Sequence, residues 1–188
     1  HYTYLFPLFG FVIGAIIGGL GYLLLSMPLI ISQITALLLI ILLYLLTGVN
    51  HLDGLADFGD GLVAHGTKEE KIAIMRDPRL GTGGVLFCIL AILALFSTLW
   101  AIADLRQPIL MFKLVLTADI AAKLSMITLI VSGTSIHKGY GSMMIEQASK
   151  RDFAVALVFS AAVGYVALGI AGIAVILASI VSALLVLR

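Results

Sequence analysis

The residues of this sequence that could do chemistry are concentrated between Asn50 and Gly84. Asp53, Asp57 and Asp60 stand at positions i, i+4 and i+7, so a helix of about 3.6 residues per turn places all three on one face. Carboxylates held this close repel one another unless a cation lies between them. Ligands that are all oxygen suit a hard ion such as Mg²⁺, which also takes substrate phosphate as a ligand. The alternative is a solvated acidic helix end.

A second motif, Met75-Arg76-Asp77-Pro78-Arg79-Leu80-Gly81-Thr82-Gly83-Gly84, follows the aspartates. It supplies a fourth carboxylate, two guanidiniums and a glycine-rich turn. Guanidiniums match phosphate oxygens in a two-pronged geometry, and backbone N–H groups at a helix start bind anions. Beside the aspartates, this motif predicts the anion-binding half of a metal–diphosphate site. The alternative is a basic loop that flanks a membrane span.

The composition indicates that an integral membrane protein must position these residues. The chain has 188 residues, of which 62% are hydrophobic and 11% charged, and its mean hydropathy is +1.19. Soluble domains are much less apolar and about one quarter charged. A single cysteine excludes a disulfide framework or a thiolate zinc site. A net charge of +1 gives no basic footprint for nucleic acid.

Apolar runs of the length that a membrane requires predict about six transmembrane helices, since each crossing takes about 20 residues. Four runs are separate, and the apolar stretch 153–187 is read as two spans that turn near Gly169–Gly172. The expected fold is an all-α polytopic bundle, a single domain over residues 1–188 with a catalytic segment at 50–82. The four separate runs are 5–25, 29–49, 83–103 and 109–131.

The distribution of basic residues predicts the orientation in the membrane. One face would carry eight basic residues, whereas Arg106 alone lies on the other. The face rich in lysine and arginine is the cytoplasmic one by the positive-inside rule. We therefore expect a multi-pass protein of the cell membrane whose active site faces the cytoplasm. The eight residues are Lys68, Lys71, Arg76, Arg79, Lys138, Lys150, Arg151 and Arg188.

Two further patterns lie within the predicted spans. Gly10, Gly14 and Gly18 recur at four-residue spacing, which predicts a face for close helix packing. Asp119 and Lys123 are ionisable residues at bilayer depth, where a charge needs a partner. These two either pair with each other at i, i+4 or line a polar cavity.

The motifs together strongly resemble those of cobalamin synthase, also called adenosylcobinamide-GDP ribazoletransferase. The resemblance rests on the run His51-Leu52-Asp53-Gly54-Leu55-Ala56-Asp57, then Asp60-Gly61, Ile74-Met75-Arg76-Asp77 and Arg79-Leu80-Gly81-Thr82, with Phe6-Pro7-Leu8-Phe9-Gly10 in the first span. The family's Arg-Pro-containing first segment and its final Gly-Gly-x-Thr-Gly-Asp motif are not in this sequence, so we expect a fragment. A fainter resemblance joins Asp57-Phe58-Gly59-Asp60-Gly61 to the signature of CDP-alcohol phosphotransferases, with His65 in place of the arginine.

The resemblance to cobalamin synthase implies an enzyme of vitamin B12 biosynthesis. Such an enzyme transfers adenosylcobinamide phosphate from adenosylcobinamide-GDP to α-ribazole or its 5′-phosphate and releases GMP. Phosphoryl-type transfer of this kind depends on positioning and on charge stabilisation. The implied cofactor is Mg²⁺, held by Asp53, Asp57, Asp60 and Asp77.

The remaining roles follow from the same resemblance. Arg76 and Arg79 would bind phosphate, as would the turn at Gly81. Asp60 is the favoured general base, with Asp77 as its rival and His51 as a further candidate. Lys123 corresponds to a basic substrate-binding residue of the family, and the loop with His137, Lys138 and Tyr140 either caps a cavity or is solvated.

Two other classes of function compete with the enzyme. A small membrane transporter would use Asp119 and Lys123 as its coupling site, but such proteins usually contain internal repeats, and none is found in this sequence. A purely structural subunit leaves the three aspartates unexplained. The expected partners are the two substrates and the lipid bilayer, without nucleic acid, and the sequence leaves the oligomeric state open.

Overall fold

The structure is a computed structural model that describes residues 2–135 and 138–187. Over these residues it forms nine α-helices and no β-strand, which confirms the expected all-α fold. The predicted cap residue His137 and the basic residue Arg188 lie outside the described residues. A short 3-10 turn, Thr3–Leu5, precedes the helices, which are α1 Phe6–Leu25, α2 Ser32–Thr47, α3 Asn50–Val63, α4 Lys68–Met75, α5 Thr82–Asp104, α6 Pro108–Ser132, α7 Tyr140–Gln147, α8 Lys150–Leu168 and α9 Ile170–Val186.

Six of these helices coincide with the six apolar segments of the sequence. Four of them, α1, α5, α6 and α8, are long and apolar enough to cross a membrane unaided. Helix α2 reaches that standard only together with α3, and α9 has 17 residues. A helix of that length spans about 25 Å, slightly less than the hydrocarbon core.

Helix α3 differs from these six because its axis is bent 95° from that of α2. A bend of this size turns α3 out of line with α2, so the two helices do not form one straight span. Three aspartates on α3 agree with this placement, because the hydrocarbon core disfavours charge. Its opposite face carries the exposed apolar residue Leu62. The aspartates therefore lie on an amphipathic helix that does not continue the line of α2.

Local sequence explains where several helices begin and end. Gly169 has φ +63, a conformation that favours glycine, and it separates α8 from α9 where the sequence predicted a turn. Pro108 opens α6 at the position where a missing N–H costs nothing. Ser149 and Asp152 form a reciprocal capping box at the start of α8.

The chain divides into two compact units, and the first combines His1–Ser26 with Gln107–Arg188. In this unit the glycine face of α1 packs directly on α6. A Cβ on Gly10 would lie 2.7 Å from the Asp119 carbonyl oxygen, and one on Gly14 would lie 3.0 Å from the Leu116 Cα. Both contacts are too short for a larger side chain, so the predicted close-packing face is confirmed.

Helix α6 also supplies most of the core of this unit. Ile120, Leu124 and Ile127 are completely buried, and Ile176 of α9 packs in the same cluster. Helices α8 and α9 approach each other through Gly164 and Gly172. Small residues permit this close approach of two apolar helices.

The second unit is Met27–Arg106, in which α5 packs against both α2 and α3. The rings of Phe58 and Phe87 meet edge to face, with 6.3 Å between their centroids. Arg106, with φ +51, donates from Nη1 to the Ile30 carbonyl oxygen at 2.9 Å and so joins the two ends of this unit. The sequence analysis expected one domain over residues 1–188. The division into two compact units does not test that expectation, which stays a prediction.

Candidate active site

The aspartate face of α3 and the arginine motif meet in one open pocket of about 380 Å³ within the second unit. The segment from Arg76 to Gly81, which we call the arginine loop, connects α4 to α5 and forms one wall. Helix α3 forms the other wall. The structure therefore brings together the two motifs that the sequence singled out. The pocket is lined by Asp53, Ala56, Asp57, Met75, Arg76, Asp77, Pro78, Arg79 and Leu80.

The three aspartates of α3 lie at increasing depth along one face. Asp53 is exposed, Asp57 is half-buried, and Asp60 is only 9% exposed. Partial burial raises the pKa of the Asp57 carboxyl above its ordinary value, and the charges of Asp53 and Asp60 add to this rise. Asp57 thus carries an electrostatic cost that a bound cation would relieve.

Asp60 is held by the start of α5. Its Oδ2 accepts the backbone N–H of Gly81 at 2.8 Å, and its Oδ1 accepts the backbone N–H of Gly84 at 2.8 Å. Gly81 is the N-cap residue of α5 and has no side chain to cap that helix. The Asp60 carboxylate supplies the cap instead, from another helix.

Glycines allow α3 and α5 to approach closely enough for these hydrogen bonds. A Cβ on Gly59 would lie 2.9 Å from Phe87 Cβ, and one on Gly83 would lie 2.7 Å from the Gly59 carbonyl oxygen. By contrast, a Cβ on Gly54 would meet nothing within 4 Å. Glycines near the aspartates therefore differ in function: Gly59 is required for packing, whereas Gly54 faces open space.

The arginine loop contains an ion pair between Asp77 and Arg79. Asp77 Oδ2 lies 2.6 Å from Arg79 Nη2, and Asp77 Oδ1 accepts hydrogen bonds from both Nε and the backbone N–H of Arg79 at 3.0 Å. These bonds lower the pKa of the Asp77 carboxyl to about 2. Since a general base works best with a pKa near the operating pH, Asp77 is poorly suited to that role.

Arg76 forms no ion pair within the part of the chain that the structure describes. Its backbone N–H closes the end of α4, and its exposed guanidinium lines the pocket. Arg76 thus leaves its charge available to an anion, whereas Arg79 shares its charge with Asp77.

The donors in this pocket fit Mg²⁺ only together with an anionic substrate. Among residues 2–135 and 138–187, no group of three or more His, Cys, Asp or Glu side chains is arranged to hold a metal ion. Mg²⁺ is commonly bound by one or two carboxylates, with waters and substrate phosphates as the other ligands. Asp53 and Asp57 can supply two such carboxylates, because both line the pocket.

The remaining predicted residues lie elsewhere. His51 is exposed in the first turn of α3, and Gly81 is tied to Asp60. Lys123 belongs to the first unit, where its Nζ lies 3.9 Å from the Met126 sulfur. Asp119 and Lys123 form no ion pair in the described ranges, so the simple i, i+4 pair considered from the sequence is not present. Tyr140 opens α7 and is 86% exposed.

The structure also contains a pocket that the sequence did not indicate. It occupies about 540 Å³ in the first unit, beside the capping box of α8. The signal that could have located its edge is the pattern Ser149-x-x-Asp152, which is typical of a helix start. Its lining residues are Tyr4, Gln147, Ser149, Arg151, Asp152 and Val155.

Comparison with known proteins points to one family. The family model described as cobalamin-5-phosphate synthase matches residues 1–188. A protein of Methanococcoides burtonii named adenosylcobinamide-GDP ribazoletransferase is 39% identical, over 99% of this chain and 70% of the relative. A protein of the same name from Methanosarcina barkeri is 35% identical, over 98% of this chain and 70% of the relative.

A third relative of that name, from Methanocella arvoryzae, is 38% identical over 89% of this chain and 60% of the relative. No solved structure matches the chain. The full-length match to the family model and the extended identity to these relatives agree with the motifs that α3 and the arginine loop bring together. The chain belongs to the cobalamin-5-phosphate synthase family.

Proposed function

We propose that this protein is a membrane-embedded enzyme of cobalamin biosynthesis. It transfers adenosylcobinamide phosphate from adenosylcobinamide-GDP to α-ribazole or α-ribazole 5′-phosphate, and GMP leaves. The observation that carries this proposal is that Asp53, Asp57, Arg76 and Arg79 all line one pocket. Carboxylates for a cation and guanidiniums for phosphate are the two components that a diphosphate substrate requires.

Asp53 and Asp57 are the residues that would hold Mg²⁺. Their carboxylates line the pocket, and neither forms an ion pair among the described residues. When bound, the metal offsets the negative charge of the diphosphate and of the departing GMP. Asp77 contributes less to this cation, because its carboxylate is shared with Arg79.

Arg76 and Arg79 hold the diphosphate against the aspartates. The guanidinium of Arg76, which forms no ion pair within residues 2–135 and 138–187, binds phosphate oxygens directly. Arg79, whose side chain is 88% exposed, is kept near the pocket by Asp77 and adds a second positive charge. Together the two residues orient the substrate, and orientation supplies much of the catalysis in phosphoryl transfer.

The active site faces the cytoplasm in this proposal. The arginine loop and helix α4 together carry Lys68, Lys71, Arg76 and Arg79. The loop between α5 and α6, at the other end of α5, carries only Arg106. This asymmetry is the pattern of the positive-inside rule and supports an orientation in which the pocket faces the cytoplasm.

The experiment that tests the proposal is a transfer assay on purified protein in lipid nanodiscs. Adenosylcobinamide-GDP and α-ribazole are supplied with Mg²⁺ or with EDTA, and GMP and the corrinoid product are measured by chromatography. We expect both products in equal amounts with Mg²⁺ and neither with EDTA. Absence of GMP when Mg²⁺ and both substrates are present would overturn the proposal. Asp104→Asn, an exposed change at the far end of α5, serves as the matched control and should retain normal turnover.

A further inference from the structure

Asp60 has an environment unlike that of the other two aspartates of α3. It is 9% exposed and absent from the lining of the pocket, whereas Asp53 and Asp57 both line it. Both of its oxygens accept backbone N–H groups from the first residues of α5. The carboxylate therefore faces a helix N-terminus, where a negative charge is stabilised both by hydrogen bonds and by the helix dipole.

Gly81, one of the two residues that donate to Asp60, is also the last residue of the arginine loop. Gly81 follows Arg79 by two residues, and its N–H is fixed at 2.8 Å from Asp60 Oδ2. At the other end of the loop, the backbone N–H of Arg76 bonds to the carbonyls of Ala73 and Ile74. The arginine loop is thus anchored to α4 at its start and to Asp60 at its end.

The absence of a side chain at Gly81 leaves room for the Asp60 carboxylate. Its φ is −89, which other residues can adopt, so its backbone angle alone does not require glycine. A Cβ at this position would lie 2.8 Å from Asp60 Cγ, and the three nearest atoms all belong to Asp60. Space for the carboxylate therefore accounts for a glycine here.

We infer that Asp60 is a positioning residue: by capping α5 it fixes the arginine loop so that Arg76 and Arg79 meet the diphosphate of the substrate. This inference rests on the proposed function and assigns Asp60 a role distinct from those of metal ligand and proton acceptor. Asp53 and Asp57 remain the groups that would hold the cation.

Two variants disturb the same contact by different routes. Asp60→Asn keeps the size of the side chain but can accept only one of the two N–H groups well, because its amide nitrogen is a donor. Gly81→Ala changes no aspartate or arginine. It displaces the Asp60 carboxylate because the added methyl group crowds it. A positioning role predicts that both variants raise KM for adenosylcobinamide-GDP by about tenfold, as expected for loss of one charge-assisted hydrogen bond. A loop that the cap no longer holds must be ordered by the substrate itself, so the cost falls on binding, and once substrate is bound we expect little change in kcat in either variant.

The Mg²⁺ titration of the same variants separates positioning from ligation. A positioning role leaves the half-saturating Mg²⁺ concentration unchanged in both variants, whereas Asp53→Asn, the matched ligand variant, raises it. A rise in Asp60→Asn but not in Gly81→Ala would overturn the inference in favour of a ligand. A fall in kcat at unchanged KM, or wild-type kinetics in Gly81→Ala, would overturn it as well. If Asp60→Asn does not fold, Gly81→Ala decides the question alone.

Hydrogen exchange gives a measure of the cap that does not depend on activity. In the full chain in nanodiscs, we expect faster amide exchange at residues 81–84 in Asp60→Asn and in Gly81→Ala, with no such change in Asp53→Asn. Unchanged exchange in Asp60→Asn would contradict the cap. A wild-type protein that releases no GMP would instead refute the proposed function, while the exchange data would still decide whether Asp60 caps α5.

Discussion

Asp77 and Arg79 are joined by a two-pronged ion pair within three residues of chain, with Oδ2 and Nη2 2.6 Å apart. The backbone N–H of Arg79 reaches the same carboxylate, so the pair also fixes the local turn. This arrangement determines how each of the two residues can act. Asp77 orients Arg79, and its low pKa keeps it charged at every pH at which the enzyme would work.

The ion pair leads to a prediction about pH. Because the pKa of Asp77 is lowered to about 2, its carboxylate gains a proton only in strong acid. The contribution of the ion pair is therefore lost only as the pH falls through the range between the ordinary aspartate pKa of 3.8 and a pH of about 2. We therefore expect Asp77→Asn to leave the shape of the kcat/KM profile unchanged between about pH 5 and 9. Loss of the acidic limb of that profile in Asp77→Asn would identify Asp77 as the general base after all.

A second prediction concerns the geometry of Arg76. Lysine at this position keeps the positive charge but loses the two-pronged fit to phosphate. We expect Arg76→Lys to lower kcat/KM by at least about tenfold, which corresponds to ~1.4 kcal/mol of transition-state stabilisation. Lys71→Arg is the control, since a residue that serves only membrane orientation tolerates the exchange. Near-normal kinetics in both variants would leave Arg76 without a specific role.

A third prediction tests the cation. Asp57→Asn removes the charge but keeps the shape of the side chain, so it should abolish most activity and raise the half-saturating Mg²⁺ concentration by at least about tenfold. Steady-state GMP release at graded Mg²⁺ concentrations measures both effects. Ordinary turnover in Asp57→Asn at low Mg²⁺ would remove the basis for a metal at this helix.

A fourth prediction concerns the packing of α1 on α6. Gly10→Ala places a methyl group 2.7 Å from the Asp119 carbonyl oxygen, and overpacking of this kind typically costs about 1–3 kcal/mol. We expect a lower Tm in detergent for this variant. Gly19→Ala, on the same helix but with nothing within 4 Å of its added Cβ, should keep or raise the Tm. Equal Tm values for the two variants would contradict the packing.

The fifth prediction tests orientation. Single cysteines are introduced by Lys68→Cys and Gln107→Cys in a Cys88→Ser background, both at exposed positions. An impermeant thiol reagent added to intact cells should label only the second, and both should react in broken cells. The opposite pattern would reverse the proposed orientation and place the pocket outside the cytoplasm.

Much of the fold was predictable because a membrane imposes simple rules on sequence. Apolar runs located the six apolar helices, and the glycine at 169 located the break between α8 and α9. Helical periodicity also placed Asp53 and Asp57 on one face, and their pairing with Arg76 in one pocket followed from motifs close in the chain. These features depend on local sequence, which a single chain reveals.

Features that depend on contacts between distant residues were not predictable. Nothing in the periodicity of α3 distinguishes Asp60 from Asp57, because the distinction comes from α5, which begins more than twenty residues later. The 95° bend after α2 is likewise a property of packing rather than of composition. One of the two alternatives for Asp119 and Lys123, the i, i+4 ion pair, is absent from the described residues, and Lys123 Nζ lies 3.9 Å from the Met126 sulfur.

The order of residues in the pocket affects how the protein is made. Every lining residue lies between Asp53 and Leu80, and helix α5, which packs against this segment, ends at Asp104. Chains emerge from the ribosome N-terminus first, and compact units tend to form as they emerge. The pocket can therefore assemble while the second half of the chain is still being translated. Helix α1 is synthesised earlier but must wait, with its glycine face uncovered, until α6 has entered the membrane.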